Sequence, residues 1–226
     1  MKIDGTMPKE QRITIAAEYI FSKHGFEGAT LDEIIELADV GKGTVYKYFG
    51  NKEQLFYRLV SEKNEVFVAS LRQAVDKAEG LEAKLLAYFT ELLYFYRDNS
   101  ALWQVICFEM LNSNSCLIRI VDGFPQVYSR YAADPDEKTK ERMLRYYNLM
   151  ASEFSILRDI FVEGVQQGLL KNTDIENSTR YHFFGVVMCI FHADEEMKNM
   201  SIEEGAAITV DRFLYGAAAR KLDTEQ

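Results

Sequence analysis

Apolar residues recur every three or four positions along almost the whole of this chain, and period-two alternation is scarce. That spacing puts one apolar face on an α-helix, whereas a strand needs its apolar residues at alternate positions. Only 3 prolines and 13 glycines punctuate 226 residues, too few for the many turns of a sandwich or barrel. Hydrophobic residues make up 48%, enough for a substantial core, which excludes wholesale disorder. The expected fold is all-α, with about nine helices and essentially no sheet.

Local signals divide the chain. The first helix carries Ile13, Ala16, Ala17, Ile20 and Phe21 on one face and stops at Gly25. Thr30-Leu31-Asp32-Glu33 is a capping box, in which the threonine hydroxyl accepts from a first-turn amide and the glutamate reaches back. It opens a second helix whose inner face is Leu31, Ile34, Ile35 and Ala38. Asp39-Val40-Gly41 is a tight turn, and a two-turn helix follows from Lys42 to Phe49. Asn51 caps a long fourth helix that runs to about Glu79. Leu81–Arg97 and Ala101–Leu111 are further helices, and Gly123 and Pro125 predict a broken helix over 112–133. Asp134-Pro135-Asp136-Glu137 starts a long helix to Gly168. Asp174 caps the next, to about His192, and a second capping box at Ser201 opens a last helix to about Arg220.

Residues 30–52 carry the chemistry: TLDEIIELADVGKGTVYKYFGNK. Two helices joined by a three-residue turn, the second only two turns long, form a helix-turn-helix pattern. Val45 and Phe49, four apart, are the inward face of the second helix, so Lys42, Thr44, Tyr46, Lys47 and Tyr48 fall mostly outside. Two lysines, two tyrosines and a threonine suit phosphate and base-edge contacts in a major groove. Gly43 lets the first turn approach a partner's backbone closely.

The stretch TLDEIIELADVGKGTVYKYFGNKEQLF, with AAEYIFSKHGFEGAT before it, resembles the DNA-binding signature of the tetracycline-repressor (TetR) family over about residues 9–60. The resemblance implies a helix-turn-helix DNA-binding domain at residues 8–54, with its motif at about 31–50, and a helical ligand-binding and dimerisation domain at 55–226. Thr30 would contact a phosphate, Lys42, Gly43 and Thr44 would begin the recognition helix against DNA, Tyr46 and Tyr48 would meet backbone or bases, and Lys52 would hold a phosphate. Lys47 is placed close to DNA with them. The family often has Ser where this chain has Gly41, and His where it has Tyr48. The Gly-Thr-x-Tyr-x-x-Phe frame at Gly43, Thr44, Tyr46 and Phe49 is intact.

The charge distribution fits that division. The formal net charge is −9, which excludes a general nucleic-acid coat protein. Through Val60, however, eight Lys or Arg stand against nine Asp or Glu, so the first quarter is near neutral and the acidity lies beyond it.

The rest of the chain is rich in aromatics that collectively could line an apolar pocket. Trp103, Tyr147, Phe154 and His182 are the candidate ligand contacts, and Met110, Met150 and Met188 would make such a wall adaptable. Glu91, Glu109 and Glu153 are the only obvious carboxylates for a cationic ligand, and each is expected at the surface. The last two helices, with Gly185, Gly205, Gly216, Ala217–Ala219, Val187, Ile190, Phe191, Val210, Phe213 and Leu214, are the candidate dimer interface. Cys107, Cys116 and Cys189 form no CxxC pair and read as reduced core thiols of a cytoplasmic protein. No metal site is expected; His192 and Glu196 are the one weak pair. There is no GxSxG, Walker or GxGxxG motif and no apolar run of the ~18 residues that span a bilayer.

The expected protein is therefore a transcriptional regulator and not an enzyme, without cofactor or membrane segment. It would be a homodimeric repressor on a palindromic double-stranded operator, released when a small apolar inducer shifts the spacing of the recognition helices, with helix 4 as lever. Two alternatives stay open: an activator of the same fold, and an all-helical binding protein or enzyme in which the first 60 residues are merely structural.

Overall fold

The computed structural model describes residues 1–112, 116–121, 124–129, 135–171, 174–191 and 199–216. Nine helices are described: α1 Lys9–Gly28, α2 Leu31–Ala38, α3 Lys42–Phe49, α4 Lys52–Lys77, α5 Leu81–Asp98, α6 Ser100–Asn112, α7 Glu137–Gln166, α8 Ile175–Phe191 and α9 Ile202–Tyr215. The chain divides into two compact units, Met1–Val66 with Ala101–Leu149, and Phe67–Ser100 with Met150–Gln226.

In the first unit, α1 packs against α2 and α3, and the buried side chains include Ile13, Ala16, Ala17 and Phe21 of α1, Ile34 and Ala38 of α2, Val45 and Phe49 of α3, and Leu55 and Phe56 of α4. Phe21, Phe26 and Phe56 close one end, with ring centroids 5.1 Å apart from Phe21 to Phe56 and from Phe26 to Phe56 in edge-on geometry. Burying each such side chain contributes about 1.5–3 kcal/mol, which is how a helix as short as α3 holds its shape. In the second unit, α5 packs against α8 and α9. Leu85, Tyr88, Phe89, Leu92 and Tyr96 of α5, Leu157, Ile160 and Phe161 of α7, Phe183 and Val187 of α8, and Ala206 and Val210 of α9 are its core. Phe67 of α4 stacks on Phe95 of α5 with centroids 3.8 Å apart.

Three expectations are corrected. The stretch read as a broken helix contains an antiparallel hairpin, β1 Cys116–Val121 with β2 Phe124–Ser129, in register Val121↔Phe124 and Cys116↔Ser129. In the sequence, Asp-Gly is the dipeptide that favours two-residue hairpin connections and follows Val121 directly, and Ile118, Ile120 and Val121 are β-branched. The last helix ends at Tyr215 and not near Arg220, because Gly216 takes φ 71°. Cys189 is exposed, while Cys107 is buried as expected.

Candidate nucleic-acid interface

The interface is built on the end of α1. Gly25, at φ 68°, breaks the helix there, and Gly28 is its last helical residue. The carbonyl oxygens that lose their intrahelical partners at such an end need other donors. Lys52, the first residue of α4, supplies them: its ammonium donates to the carbonyls of Phe26 at 2.8 Å, Ala29 at 3.1 Å and Glu27 at 3.4 Å, and sits 4.6 Å over the Phe26 ring. All three of its donors are thereby engaged.

The connection so held delivers Thr30 to α2. The Thr30 hydroxyl accepts from the Glu33 amide at 3.2 Å, and its backbone amide and hydroxyl donate to Glu33 Oε2 at 2.9 and 2.7 Å. These bonds hold the Glu33 carboxyl below the usual carboxylate range. At its other end α2 stops on Asp39, in the left-handed conformation at φ 50°. Arg12, buried on α1, donates to the Asp39 carbonyl at 3.1 Å and pairs with its carboxylate at 3.6 Å. The α2–α3 turn is thus anchored from below by a side chain that the sequence reading missed. Its signal was a charge placed four residues before Ala16, on the apolar face of α1.

The turn aims α3 outward. Val45 and Phe49 are buried, Thr44 is half-buried, and Lys42, Gly43, Tyr46, Lys47 and Tyr48 are exposed. Lys42 pairs with Asp32 at 3.2 Å. Gly41, the N-cap, has no side-chain hydrogen bond to offer the first turn. A Cβ built on Gly43 meets nothing within 4 Å. The outer face of α3 therefore consists of two lysines, two tyrosines and a bare first turn; Lys42 makes an exposed ion pair with Asp32, while Val45 and Phe49 hold the helix in place. Asn51 caps α4 as expected, accepting from the Gln54 amide at 2.8 Å.

The other candidate residues are dispersed. Trp103 is completely buried in the first unit and Tyr147 half-buried there. Phe154 and His182 are half-buried in the second unit. His182 donates from Nδ1 to the Ser178 carbonyl at 2.7 Å and meets Phe213 edge-on at 4.4 Å. Phe213 itself stacks on Phe161 at 4.6 Å, and Val187 and Val210 are buried. Of these three expected interface residues Val187 and Val210 are buried inside the second unit, and Phe213 is half-buried. The large apolar side chains that α8 exposes are Tyr181 and Phe184. Gly205 faces Leu93 of the same unit, whereas Gly185 meets nothing within 4 Å. Ala217–Ala219, His192 and Glu196 lie outside the described residues, and among the described residues no group of side chains could hold a metal ion.

Glu153 overturns its expected surface position. It is completely buried, with Oε2 accepting from the Tyr96 hydroxyl at 2.9 Å and Oε1 without a hydrogen-bond partner. Burial pushes its carboxyl up to about 8, against the smaller opposing effect of the Tyr96 bond. Tyr88 donates to the Glu153 carbonyl at 3.1 Å, and burial, with Glu153 beside it, raises the Tyr88 phenol as well. Glu91 instead accepts from Ser70 near the surface, and the Glu109 side chain lies outside the described residues.

Comparison with known proteins bears on this geometry. Residues 13–59 match the family described as bacterial regulatory proteins, tetR family. The chain is 23% identical over 171 residues to an uncharacterized HTH-type transcriptional regulator, YhgD, of Bacillus subtilis (strain 168), covering 76% of each chain. It is 26% identical over 167 residues to an HTH-type transcriptional regulator of Staphylococcus aureus (strain USA300), covering 71% of this chain and 89% of that one. Among solved structures, the fatty acid degradation regulator FadR from Bacillus halodurans superposes with a TM-score of 0.71 at 19% identity, over 96% of this chain and 100% of that one. FadR from Bacillus subtilis in complex with stearoyl-CoA superposes with a TM-score of 0.69 at 17% identity, over 92% and 100%. Among the described residues no helix is long and apolar enough to cross a membrane. The match at 13–59 covers most of α1, α2, α3 and the start of α4, whose geometry is that of a helix-turn-helix, and this N-terminal segment is similar to the bacterial regulatory proteins of the tetR family.

Proposed function

We propose that this regulator is a cytoplasmic homodimeric repressor that binds a palindromic operator and leaves it when a small, largely apolar molecule binds. Residues 8–54 serve as the DNA-binding domain and 55–226 as the ligand-binding and dimerisation domain. The observation that carries the reading is the outer face of α3: Lys42, Gly43, Tyr46, Lys47 and Tyr48 are exposed while Val45 and Phe49 anchor the helix. That face enters the major groove, where Lys47 and Tyr46 reach base edges and Lys42, Thr44 and Tyr48 lie at its borders. Thr30 meets a phosphate at the start of α2 when its hydroxyl turns from Glu33 Oε2, to which it donates in the free protein, toward the DNA. Lys52, its donors already engaged, acts by holding the connection that carries Thr30.

The ligand seat is placed in the second unit, beside Phe154 and His182, where the aromatic density suits an acyl chain or an aromatic body. The stearoyl-CoA bound by a protein of this fold is a precedent for an acyl chain. Trp103 and Tyr147 belong to the core of the first unit in this reading. Tyr181 and Phe184 of α8 supply the dimer face. Ligand and operator weaken each other reciprocally, typically by about 1–3 kcal/mol.

The test is a footprint on the DNA flanking the protein's own gene, at several salt concentrations, with and without apolar compounds. The expected result is a salt-sensitive footprint over two half-sites on one face of the duplex, about one helical turn or a multiple apart, lost on adding a compound that binds. Absence of any salt-dependent specific complex would sink the reading.

A further inference from the structure

Among the described residues, four polar or charged side chains are buried: Arg12, Asn64, Thr179 and Glu153. The first three donate to backbone carbonyls, Arg12 to Asp39, Asn64 to Leu149 and Thr179 to Ile175. Each holds one piece of chain against another or against its own helix. Arg12 and Asn64 also leave one atom each, Nε and Oδ1, without a partner, but Glu153 alone bonds to no backbone group: Oε2 accepts from Tyr96 and Oε1 receives nothing, and when ionised it has only acceptors. A buried acceptor without a donor is unfavourable, and an apolar side chain of similar size would fill the site at less cost. Local packing does not account for the carboxyl.

Its surroundings do. The tyrosine bonded to it, Tyr96, is bordered by the rings of Phe95 at 5.7 Å, Phe191 at 6.1 Å and Phe183 at 6.4 Å, and Phe183 in turn meets Phe154 at 6.3 Å. Tyr96 and Phe183 are fully buried, whereas Phe95, Phe154 and Phe191 are half-exposed, so the aromatic cluster extends from the carboxyl to water. The titratable groups interacting with Glu153 are Tyr88 and Tyr96, both from α5. From α8 the cluster receives Phe183, and α9 places Phe213 on Phe161, two turns along α7. On α7 itself the neighbours one turn away are Met150 and Leu157. No cation from these elements neutralises the carboxyl among the described residues. Aromatic faces attract a positive charge, the more so when it is desolvated, and a carboxylate beside them supplies the counter-charge.

We propose that Glu153 and the rings around Tyr96 are the seat for the positively charged group of an otherwise apolar ligand, an alkyl- or aryl-ammonium ion. This rests on the ligand-responsive reading above and names the class of ligand. The site is closed in the structure, so the ligand enters by separating the half-exposed rings, a minor conformation made dominant by binding. Below pH 8 binding carries a proton balance: the carboxyl proton leaves to solvent and the ammonium takes its place beside the carboxylate, one proton released for each cation bound.

The experiment titrates the full chain with benzyltrimethylammonium and with its neutral isostere neopentylbenzene, by calorimetry, from pH 6 to pH 9. Operator DNA binding is measured on the same samples. The expected result is a cation affinity that rises about 100-fold over that range as the carboxyl ionises, and an isostere affinity that does not change. Glu153→Gln removes the pH dependence and weakens the cation at pH 9 at least tenfold while leaving the isostere unaffected. Glu153→Asp keeps the pH dependence. Cooperative melting of both variants confirms that they fold. Equal binding of cation and isostere at every pH, a pH dependence that survives in Glu153→Gln, or no binding of either probe would overturn the proposal. Loss of operator binding without any probe would instead overturn the regulator reading and leave the titration to decide on Glu153.

Discussion

Helices α3 and α7 place polar groups in opposite ways. On α3 the inward face is Val45 and Phe49 alone, and the lysines and tyrosines stand outside. On α7 the inward stripe Tyr146, Met150, Glu153, Leu157 and Ile160 has a carboxyl in its middle. The α3 side chains cost the fold almost nothing and are free to meet a partner. The α7 carboxyl is held against its own solvation and couples the fold to pH. Substitutions on the two helices should therefore separate: on α3 binding changes and stability does not, and on α7 stability changes first.

The largest expected effect is on α7. Folded Glu153 titrates near 8, while the usual glutamate value is 4.5. Between those values the folded chain retains a proton that the unfolded chain has released. Stability is therefore highest at or below the lower value, falls as pH rises through the window, and levels off above the upper one. The full loss is about 3–5 kcal/mol. Urea unfolding at pH 5, 6.5 and 8 measures it. Glu153→Gln cannot ionise and should remove this component, flattening the profile across the same window. A wild-type profile already flat from pH 5 to 8 would return Glu153 to the class of solvated carboxylates.

Lys52 comes next and tests how far the inward and outward roles can be separated. Lys52→Met keeps the stem over Phe26 but removes the donors to three carbonyls. Unfolding should become easier by about 2–3 kcal/mol. Operator affinity should fall because Thr30 is no longer held in place, but the salt dependence of binding should keep its slope. A slope smaller by about one unit of phosphate charge would mean that Lys52 meets DNA directly.

On α3 the expectation reverses. Lys47→Ala and Tyr46→Ala should each cost about 1–3 kcal/mol of operator binding, read by fluorescence anisotropy, and leave unfolding within about 0.5 kcal/mol of wild type. Wild-type binding by both variants would mean that another face of α3 enters the groove.

The two helices also differ in how much of them could be read from sequence. The Thr30–Glu33 box, the turn that starts at Asp39 and the Val45–Phe49 pair are local, each decided within four residues, and the structure places all three as the spacing predicts; the left-handed conformation of Asp39 is what the structure adds. Glu153 follows Met150 by three residues and precedes Leu157 by four, so its place on the inner stripe was written in the period. Only the general rule that glutamate stays outside argued against it. Phe213 was assigned to an interface because its helix face is apolar, but a period cannot say whether that face meets the same chain or another copy. The hairpin at 116–129 was hidden for a different reason: Gly123 and Pro125 were read as helix breakers, while Asp122-Gly123 carries the turn signal. Arg12 and Lys52 reach partners 27 and 23–26 residues away, beyond any local pattern.

Gly43 gives the smallest and sharpest contrast. Within the protein nothing requires a glycine there: the residue lies inside α3, its φ is not positive, and an added Cβ meets open space. Glycine inside a helix is less stable than alanine by about 0.5–1 kcal/mol, through the backbone freedom it loses on folding. Gly43→Ala should therefore stabilise the free protein by that amount in thermal unfolding. The same methyl group stands on the bare first turn of the helix proposed to enter the groove, where a partner's backbone would come close. Operator affinity should then fall severalfold while stability rises. Opposite signs in the two measurements would place the reason for this glycine outside the protein. If Gly43→Ala stabilises the fold and binds operator as well as wild type, the first turn of α3 does not approach the DNA, and the recognition surface lies toward Lys47 and Tyr48.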